Sequence, residues 1–565
     1  MKTLDYQKTL WNISFILIGF IFLNHFFCTI TFLTNAIFLP FVFPLSLLAI
    51  IFISIYFGKR NEFDLKNQFY SITFSLIIIF ISLLFSSLLF DFSWDGQWYH
   101  QAAIYNIKDG WNPFFEPIRK FNENNDISII HFPKGPWYFA ASVYSTFGDF
   151  EAGKTINFIV IAAAFTVLLS SLSEFGFSLL KSLIISSLFV LNPVVWSEVT
   201  TFLVDGLLIL YLTIYLATLC SWVKKPQTLS VIIGMMASIC LINSKFTGLV
   251  FFCVFATFAF IYLLIAKKEY LFKFIGIHAF TLILGVCAFG FNPYVTNTIE
   301  RGNPLYPIMG SAKYPSCFAQ GFDANEVYET PQNMQGKSLY TRFFFAHFGR
   351  PGNAPYNNEN KAELIWPFTS NVSDWKAYTF HETRVSGFGP FFSGILIISF
   401  VLMLWIIASN KKSLKVLSLL LLGIISSLLI SKHFWWPRFA PQIWLIPLLP
   451  IIFSLWYDNS KIRLIYTWIL ISFVLVNGLI VMTVHLNWEI KSSINLKKQL
   501  TEINHEKKII YVNSGWFEKS TNERLNKWGI NYKNMPADSI FKKNPQILTS
   551  VVEGYPGAVI FSKIN

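Results

Sequence analysis

An acidic residue, Asp95, lies among aromatic residues just after the third long apolar run of the chain. Trp98, Ala102 and Tyr105 follow at helical spacing, which predicts a short helix that begins after Asp95 and ends near Gly110. A carboxylate at the boundary between membrane and water can act as a general base toward a hydroxyl group. It can equally cap the first turn of this helix, and the sequence leaves both interpretations open.

Other charged residues stand beside or inside apolar runs. Glu198 and Asp205 flank the start of one run, Lys245 separates two others, and Arg438 follows Trp436. Charges at membrane depth are costly unless they face a cavity or a partner, which favours a functional interpretation. Near the membrane surface Lys and Arg side chains can also reach back to water, which is the structural alternative.

Histidine and cysteine spacing indicates no zinc site. No HxxxH, CxxC or HExxH pattern occurs in the chain. The sequence therefore predicts no zinc site and no metal-ligand residues.

The composition indicates that these charged residues belong to a membrane protein. Hydrophobic residues make up 54% of the chain and charged residues only 13%, whereas charged residues alone reach about a quarter of a soluble domain. The net charge of +13 comes from Lys and Arg in short links between apolar runs. This distribution is typical of membrane insertion and calls for no nucleic-acid partner.

Apolar runs of about 20 residues predict about thirteen transmembrane helices. They lie near residues 10–31, 36–57, 69–90, 153–173, 179–196, 202–223, 228–243, 248–266, 270–291, 388–408, 414–430, 441–456 and 464–485. Alternate links carry the basic residues Lys59, Arg60, Lys66, Lys181, Lys224, Lys225, Lys267, Lys268, Lys273, Lys411, Lys412, Lys415, Lys461 and Arg463. Because positive charge resists translocation, these links and the N-terminus are predicted to be cytoplasmic and the C-terminus non-cytoplasmic.

The predicted fold class is an all-α polytopic membrane protein with a small C-terminal α/β appendage. Its parts are residues 1–90 as three transmembrane helices, 91–152 as an outer loop with the acidic motif and juxtamembrane helices, 153–291 and 388–486 as further transmembrane helices, 292–387 as a long outer loop, and 487–565 as a non-cytoplasmic α/β domain. The richness in Asn, Lys, Ile and Phe suggests a bacterial origin, and hence the bacterial plasma membrane.

Several motifs resemble the GT-C class of polytopic membrane glycosyltransferases, which includes protein mannosyltransferases and aminoarabinose transferases. The acidic motif is Ser93-Trp94-Asp95-Gly96 with Tyr99-His100, and the later loop motif is His131-Phe132-Pro133-Lys134-Gly135-Pro136. Further similar stretches are 201–206, 245–248, 291–294, 302–307, 387–390 and 436–439. The resemblance covers roughly residues 90–449. The acidic loop usually follows the first span in this class, so the two leading spans here look like an addition.

The resemblance implies that a sugar is transferred from a polyprenyl-phosphate donor to an acceptor at the non-cytoplasmic face. Asp95 would be the general base, which gives inversion at the sugar, and Arg438 and Lys245 would bind the donor phosphate. The residues implied in sugar or acceptor contacts are Asp205, His100, His131, Lys134, Trp94 and Tyr99. Because Gly96 follows Asp95 where many members carry a second acid, a divalent metal cofactor is not predicted.

The acceptor implied is a glycan, a lipid or a protein, in contact with membrane lipids. Two alternatives remain open. An O-antigen or capsule polymerase or ligase would use a polyprenyl diphosphate oligosaccharide instead. A lipid or polysaccharide flippase would instead show inverted repeats and broken helices with charges at mid-membrane depth.

Overall fold

The structure is a computed structural model of the chain. It describes residues 6–36, 39–60, 63–116, 126–224, 226–317, 330–352, 363–409, 411–457, 460–535, 545–550 and 559–563.

The described residues are predominantly helical. The helices are α1 Tyr6–Thr34, α2 Leu39–Arg60, α3 Leu65–Leu88, α4 Gln101–Lys108, α5 Asp126–His131, α6 Gly135–Phe147, α7 Thr155–Glu174, α8 Leu179–Val190, α9 Pro193–Glu198, α10 Asp205–Lys224, α11 Thr228–Ile242, α12 Phe246–Ala266, α13 Leu271–Ile283, α14 Thr296–Arg301, α15 Leu339–Phe348, α16 Phe392–Ser409, α17 Lys411–Leu429, α18 Leu445–Tyr457, α19 Lys461–Glu506 and α20 Glu518–Lys527. A π-helical turn, Gly96–His100, leads directly into α4.

Nine helical segments within the described ranges are long and apolar enough to cross a membrane. Large side chains remain exposed on them, for example Phe52 at 69% and Phe272 at 88%. Apolar surface of this extent requires lipid contact. The protein is therefore a multi-pass membrane protein. Four shorter apolar helices, Leu179–Val190, Thr228–Ile242, Lys415–Leu429 and Pro441–Tyr457, lie at four further predicted spans.

The first helix belongs to the packed core. The apolar window of α1 is 72% buried, against 33% for α2 and 28% for α3, and α1 packs on α7, α6 and α11. Asn12 on α1 bonds to Gln68 at 3.2 Å and Ser54 at 3.0 Å, which ties α3 and α2 to it. Interhelical hydrogen bonds of this kind hold helices together in lipid. The interpretation of the two leading spans as an addition therefore does not fit α1.

The last long helix, α19, continues without a break from Lys461 to Glu506. The predicted domain border between residues 486 and 487 therefore falls inside one helix. Beyond it the strands β1 Ile510–Asn513, β2 Tyr532–Asn534, β3 Gln546–Leu548 and β4 Val559–Lys563 form a sheet of order β2-β1-β4-β3. β1 is parallel to β2 and antiparallel to β4, and β3 is antiparallel to β4.

Basic residues from several links meet the carbonyl ends of neighbouring helices. Lys267 Nζ donates to the carbonyl of Val223 at 2.7 Å, and Lys181 Nζ to that of Leu455 at 3.2 Å. Cations at helix C-termini are favourable because the last carbonyls lack intrahelical partners. These links therefore lie at the C-terminal ends of α10 and α18.

Candidate functional site

Charged side chains from distant parts of the chain surround the guanidinium of Arg438. Its Nη2 donates to Asp95 Oδ2 at 2.6 Å and its Nη1 to Glu382 Oε2 at 2.6 Å. Its Nε donates to Asp205 Oδ2 at 2.9 Å. The other oxygen of Asp205 accepts from Lys245 Nζ at 2.5 Å. The expected convergence of Asp95 and Arg438 is thus observed.

A further carboxyl group completes this arrangement. Glu198 Oε1 lies 3.9 Å from Arg438 Nε, and Glu198 Oε2 accepts from the backbone N–H of Gly206 at 2.7 Å. We call these side chains the ionic cluster: Asp95, Glu198, Asp205, Lys245, Glu382 and Arg438.

The ends of helices position the cluster. Asp205 is the first residue of α10, where a carboxylate is favoured by the helix dipole, and Lys245 directly precedes α12. Asp95 lies in the connection from α3 to α4, Glu382 between α15 and α16, and Arg438 between α17 and α18. The cluster therefore forms where five connections meet at one end of the bundle.

Two members of the cluster face outward. The side chains of Asp95 and Lys245 are 22% and 23% exposed, whereas those of Asp205, Glu198 and Arg438 are buried. Lys245 Nζ also lies 4.3 Å from the ring centroid of Phe439. A partly exposed carboxylate and a partly exposed ammonium thus belong to the same cluster as a buried guanidinium.

The carboxylate of Asp95 does not cap the helix that follows. Asp95 has helical backbone angles and its side chain makes no capping hydrogen bond. Asp91 fixes this connection instead: its Oδ1 accepts from the N–H and the hydroxyl of Ser93 at 2.7 and 2.6 Å, and its Oδ2 from the N–H of Phe202 at 3.0 Å. The capping alternative for Asp95 is therefore excluded, and its carboxylate is free to face Arg438.

The cluster holds more carboxyl groups than cations, with four acids around Arg438 and Lys245 in the described part of the chain. Burial, reinforced by Asp205, raises the pKa of Glu198 well above its usual range, although Arg438 opposes the shift. The acidic surplus of the cluster thus lies beside the partly exposed Asp95.

His100 lies next to the cluster as a neutral imidazole. Burial lowers its pKa to about 3, with Asp95 opposing that shift. Trp137 Nε1 donates to His100 Nδ1 at 2.7 Å, which assigns the remaining proton to Nε2. That Nε2 is buried and has no hydrogen-bond partner among the residues that the structure describes. Tyr99 stacks on the His100 ring with centroids 4.2 Å apart, so this predicted pair remains close to Asp95.

Trp94, a member of the acidic motif, packs against the C-terminal domain that contains the sheet. Its ring packs on Trp98 at 4.8 Å, Phe517 at 5.9 Å and Trp516 at 6.2 Å between centroids. The side chain of Gln97 also donates to the carbonyl of Ser550 at 2.5 Å. The ring of Trp94, for which stacking on a sugar was predicted, thus packs against the C-terminal domain. This contact supports the turn that contains Asp95.

Lys134 and His131 do not join the cluster. Lys134 Nζ donates to the carbonyls of Ile130 at 2.7 Å and Phe132 at 2.8 Å and to Asn292 Oδ1 at 2.5 Å. An ammonium has three donors, so none is left for a substrate. His131 Nδ1 lies 2.7 Å from Asn297 Oδ1, and burial lowers the His131 pKa to about 4. Both side chains are used inside the loop packing, and the substrate contacts predicted for these two residues stay a prediction.

One segment, residues 148–155, matches the phosphate-loop pattern GxxxxGK[ST]. In the structure its Lys154 is fully buried and donates to Glu151 Oε2 at 2.6 Å and to the carbonyl of Leu89. The segment is a 3-10 turn that continues into α7, and it follows α6. A phosphate loop instead follows a strand and leaves its Lys free for the nucleotide. The match therefore has no nucleotide-binding geometry.

Sequence reasoning missed Glu382. It lies in a long polar connection without periodicity, and only its partner Arg438 distinguishes it from other loop acids. The only indication of Glu382 in the sequence was that its neighbours His381 and Arg384 make this segment rich in ionisable residues.

Comparisons with protein-family models, with curated proteins and with solved structures give no match to this chain. The fold and the site define a multi-pass helical membrane protein with an ionic cluster at one end of its helices.

Proposed function

We propose that this protein is a membrane glycosyltransferase that transfers a sugar from a polyprenyl-phosphate donor to a hydroxyl acceptor. The observation that carries the proposal is the placement of Asp95, a partly exposed carboxylate held at 2.6 Å by a buried guanidinium. A fixed, accessible carboxylate next to aromatic rings suits a general base for sugar transfer.

In the proposed step the acceptor oxygen attacks the anomeric carbon from the face opposite the phosphate. The bond from that carbon to the phosphate oxygen breaks, and the polyprenyl phosphate leaves with the electron pair. Asp95 takes the acceptor hydroxyl proton. The product has inverted configuration, because a single displacement occurs.

The role first assigned to Arg438 is revised by its contacts. Its three nitrogens already donate to Asp95, Glu382 and Asp205, so the guanidinium is directed at carboxylates and not at an open anion site. We propose that Arg438 positions Asp95. Lys245, which is partly exposed beside the same cluster, is the cation proposed to face the departing phosphate.

The direction in which the helices run supports a site at the non-cytoplasmic face. Asp205 begins α10 and Lys224, from a basic link, ends it. A helix of 20 residues is about 30 Å long, which is the thickness of the hydrocarbon layer. The ionic cluster and this basic link therefore lie at opposite ends of one span, and basic links favour the cytoplasm.

The same reasoning extends to the span count and the location. We propose that the four shorter apolar helices cross the membrane together with the nine longer segments, in a bacterial plasma membrane. The N-terminus is then cytoplasmic and the C-terminal sheet domain is non-cytoplasmic.

The substitution Asp95→Asn tests the function. It keeps the shape of the side chain and removes the base, so we expect transfer to fall by about 10²- to 10⁴-fold. The measurement is sugar transfer by the purified protein from polyprenyl-monophosphate and polyprenyl-diphosphate sugars, with expression and monodispersity matched. Asp109→Asn, an exposed acid at the end of α4, is the control and should retain activity. Unchanged turnover in Asp95→Asn would reject Asp95 as the base, and transfer only from the diphosphate donor would favour a polymerase or ligase.

A further inference from the structure

Two histidines and a glutamate converge outside the ionic cluster. His485 and Glu489 are four residues apart on α19, so they share one face of the helix. His381 reaches them from the connection before α16, with its Nε2 3.4 Å from Glu489 Oε2. One ligand atom from each of the three side chains lies within 4.8 Å of the other two.

All three side chains are buried, and their facing atoms make few hydrogen bonds. Glu489 is 0%, His485 0% and His381 5% exposed. Among the described residues, the Nε2 atoms of both histidines and both oxygens of Glu489 lack a hydrogen bond of standard geometry, although the Thr200 hydroxyl interacts with the carboxylate. A buried carboxylate with so few partners is costly, so a compensating positive charge at this point would stabilise the fold.

The geometry fits a metal ion better than a hydrogen-bonded network. His485 Nδ1 lies 3.2 Å from the carbonyl oxygen of Tyr378, a contact that places the proton on Nδ1 and leaves the Nε2 lone pair toward Glu489, as in metal-binding histidines. A tetrahedral site with bonds of 2.0–2.1 Å has ligand atoms about 3.3 Å apart, close to the observed 3.4 Å between His381 and Glu489.

We propose that His381, His485 and Glu489 bind a divalent transition metal of the zinc type. Two imidazoles and one carboxylate favour such an ion over Mg²⁺ or Ca²⁺, which prefer oxygen ligands. The proposal does not depend on the glycosyltransferase assignment, because it uses neither the ionic cluster nor a substrate.

The position of the three ligands indicates a structural metal. His485 lies 24 residues after Lys461 in α19, about 36 Å along the helix and thus beyond a hydrocarbon layer of about 30 Å. The ion would fasten the connection that contains His381 to this helix. The carboxylate of Glu382, the next residue, accepts a hydrogen bond from Arg438, so the metal would also fix one wall of the ionic cluster.

The test uses the full-length chain, purified in detergent with its affinity tag removed. The protein is stripped with a chelator, reloaded with Zn²⁺, passed over a gel-filtration column and analysed for metal content. We expect about one equivalent of zinc in the unsubstituted protein and a more than tenfold loss in Glu489→Gln and His485→Gln. His505→Gln, at the exposed end of the same helix, is the control and should keep the metal.

A second set of measurements examines the ligands of the bound metal and the stability of the metal-loaded protein. Cobalt bound to the unsubstituted protein should show visible d–d absorption, and X-ray absorption should show two imidazole ligands. Zinc should raise the thermal unfolding temperature of the unsubstituted protein and leave that of Glu489→Gln unchanged. A stripped unsubstituted protein that takes up no more zinc than Glu489→Gln, or a cobalt spectrum without imidazole ligation, would overturn the proposal.

Discussion

Arg438 stabilises the charged site at the level of single residues. Its guanidinium connects Asp95, Asp205 and Glu382, which belong to three different connections. A planar group with five donors can do this, whereas an ammonium is a single point charge. Burial opposes the charge on Arg438, but Asp95, Glu382 and Asp205 together raise the pKa of Arg438 well above its ordinary value. The guanidinium is therefore always charged.

Removing Arg438 should destabilise the protein strongly. Arg438→Ala removes a buried counter-charge from Glu382 and from Asp205, which keeps only Lys245, and this loss is expected to cost about 3–5 kcal/mol. The measurement is thermal or denaturant unfolding of the purified protein in detergent.

Arg350 offers a matched control. It also contacts two carboxylates, Glu363 at 3.1 Å and Asp374 at 3.3 Å, but its side chain is 43% exposed. Arg350→Ala should therefore cost less than about 1 kcal/mol. Similar losses in the two variants would show that burial does not set the importance of Arg438.

The connection between α3 and α4 positions Asp95 at the level of elements. Gly96 packs so closely against the Asp91 carboxylate and the Ser93 hydroxyl that an added Cβ would overlap both. Asp91 cannot easily retreat, because it accepts three hydrogen bonds. The absence of a second acid after Asp95 therefore has a steric cause, since only glycine fits there.

Gly96→Ala should displace this connection and with it Asp95. We expect a loss of about 1–3 kcal/mol from overpacking and, under the proposed function, at least a tenfold fall in transfer. Unfolding and transfer assays on the same preparation would measure both effects.

Gly276→Ala is the control for this substitution. Gly276 lies in α13 with no heavy atom within 4 Å of an added Cβ, so alanine should be neutral or stabilising by up to about 1 kcal/mol. If Gly96→Ala also proved neutral in both assays, the close packing around Asp95 would have no consequence for the site.

The whole molecule has two chemically different ends separated by lipid-facing helices. Lys59 and Lys267 belong to basic links, whereas the ionic cluster lies at the opposite end of α10 from Lys224. Cys317 is an exposed free thiol in the long connection after α14. The side of the membrane on which Cys317 lies therefore gives the orientation of the entire chain.

A membrane-impermeant maleimide should label Cys317 in sealed cells, and Cys317→Ser should abolish the labelling. The remaining cysteines lie within apolar helices, where such a reagent does not reach them. A cysteine introduced by Lys59→Cys in the Cys317→Ser background should react only after the membrane is opened. The reverse pattern would invert the proposed topology and place the ionic cluster in the cytoplasm.

The membrane helices and most of the charged site residues could be predicted from local sequence properties. Apolar runs report membrane helices because each span must satisfy its own backbone and lipid contacts. Asp95, Asp205, Lys245 and Arg438 stood out for the same reason, since charges next to apolar runs are rare.

Only the tertiary structure decided which charges meet. Arg438 and Asp95 are 343 positions apart, and nothing local distinguishes Glu382 from any other loop acid. The partners of Lys134 were equally hidden in the sequence, because the fold supplies its ammonium with three internal acceptors. Hydrogen-bond and ion-pair partners depend on distances between helix ends, and these are set by packing across the whole bundle.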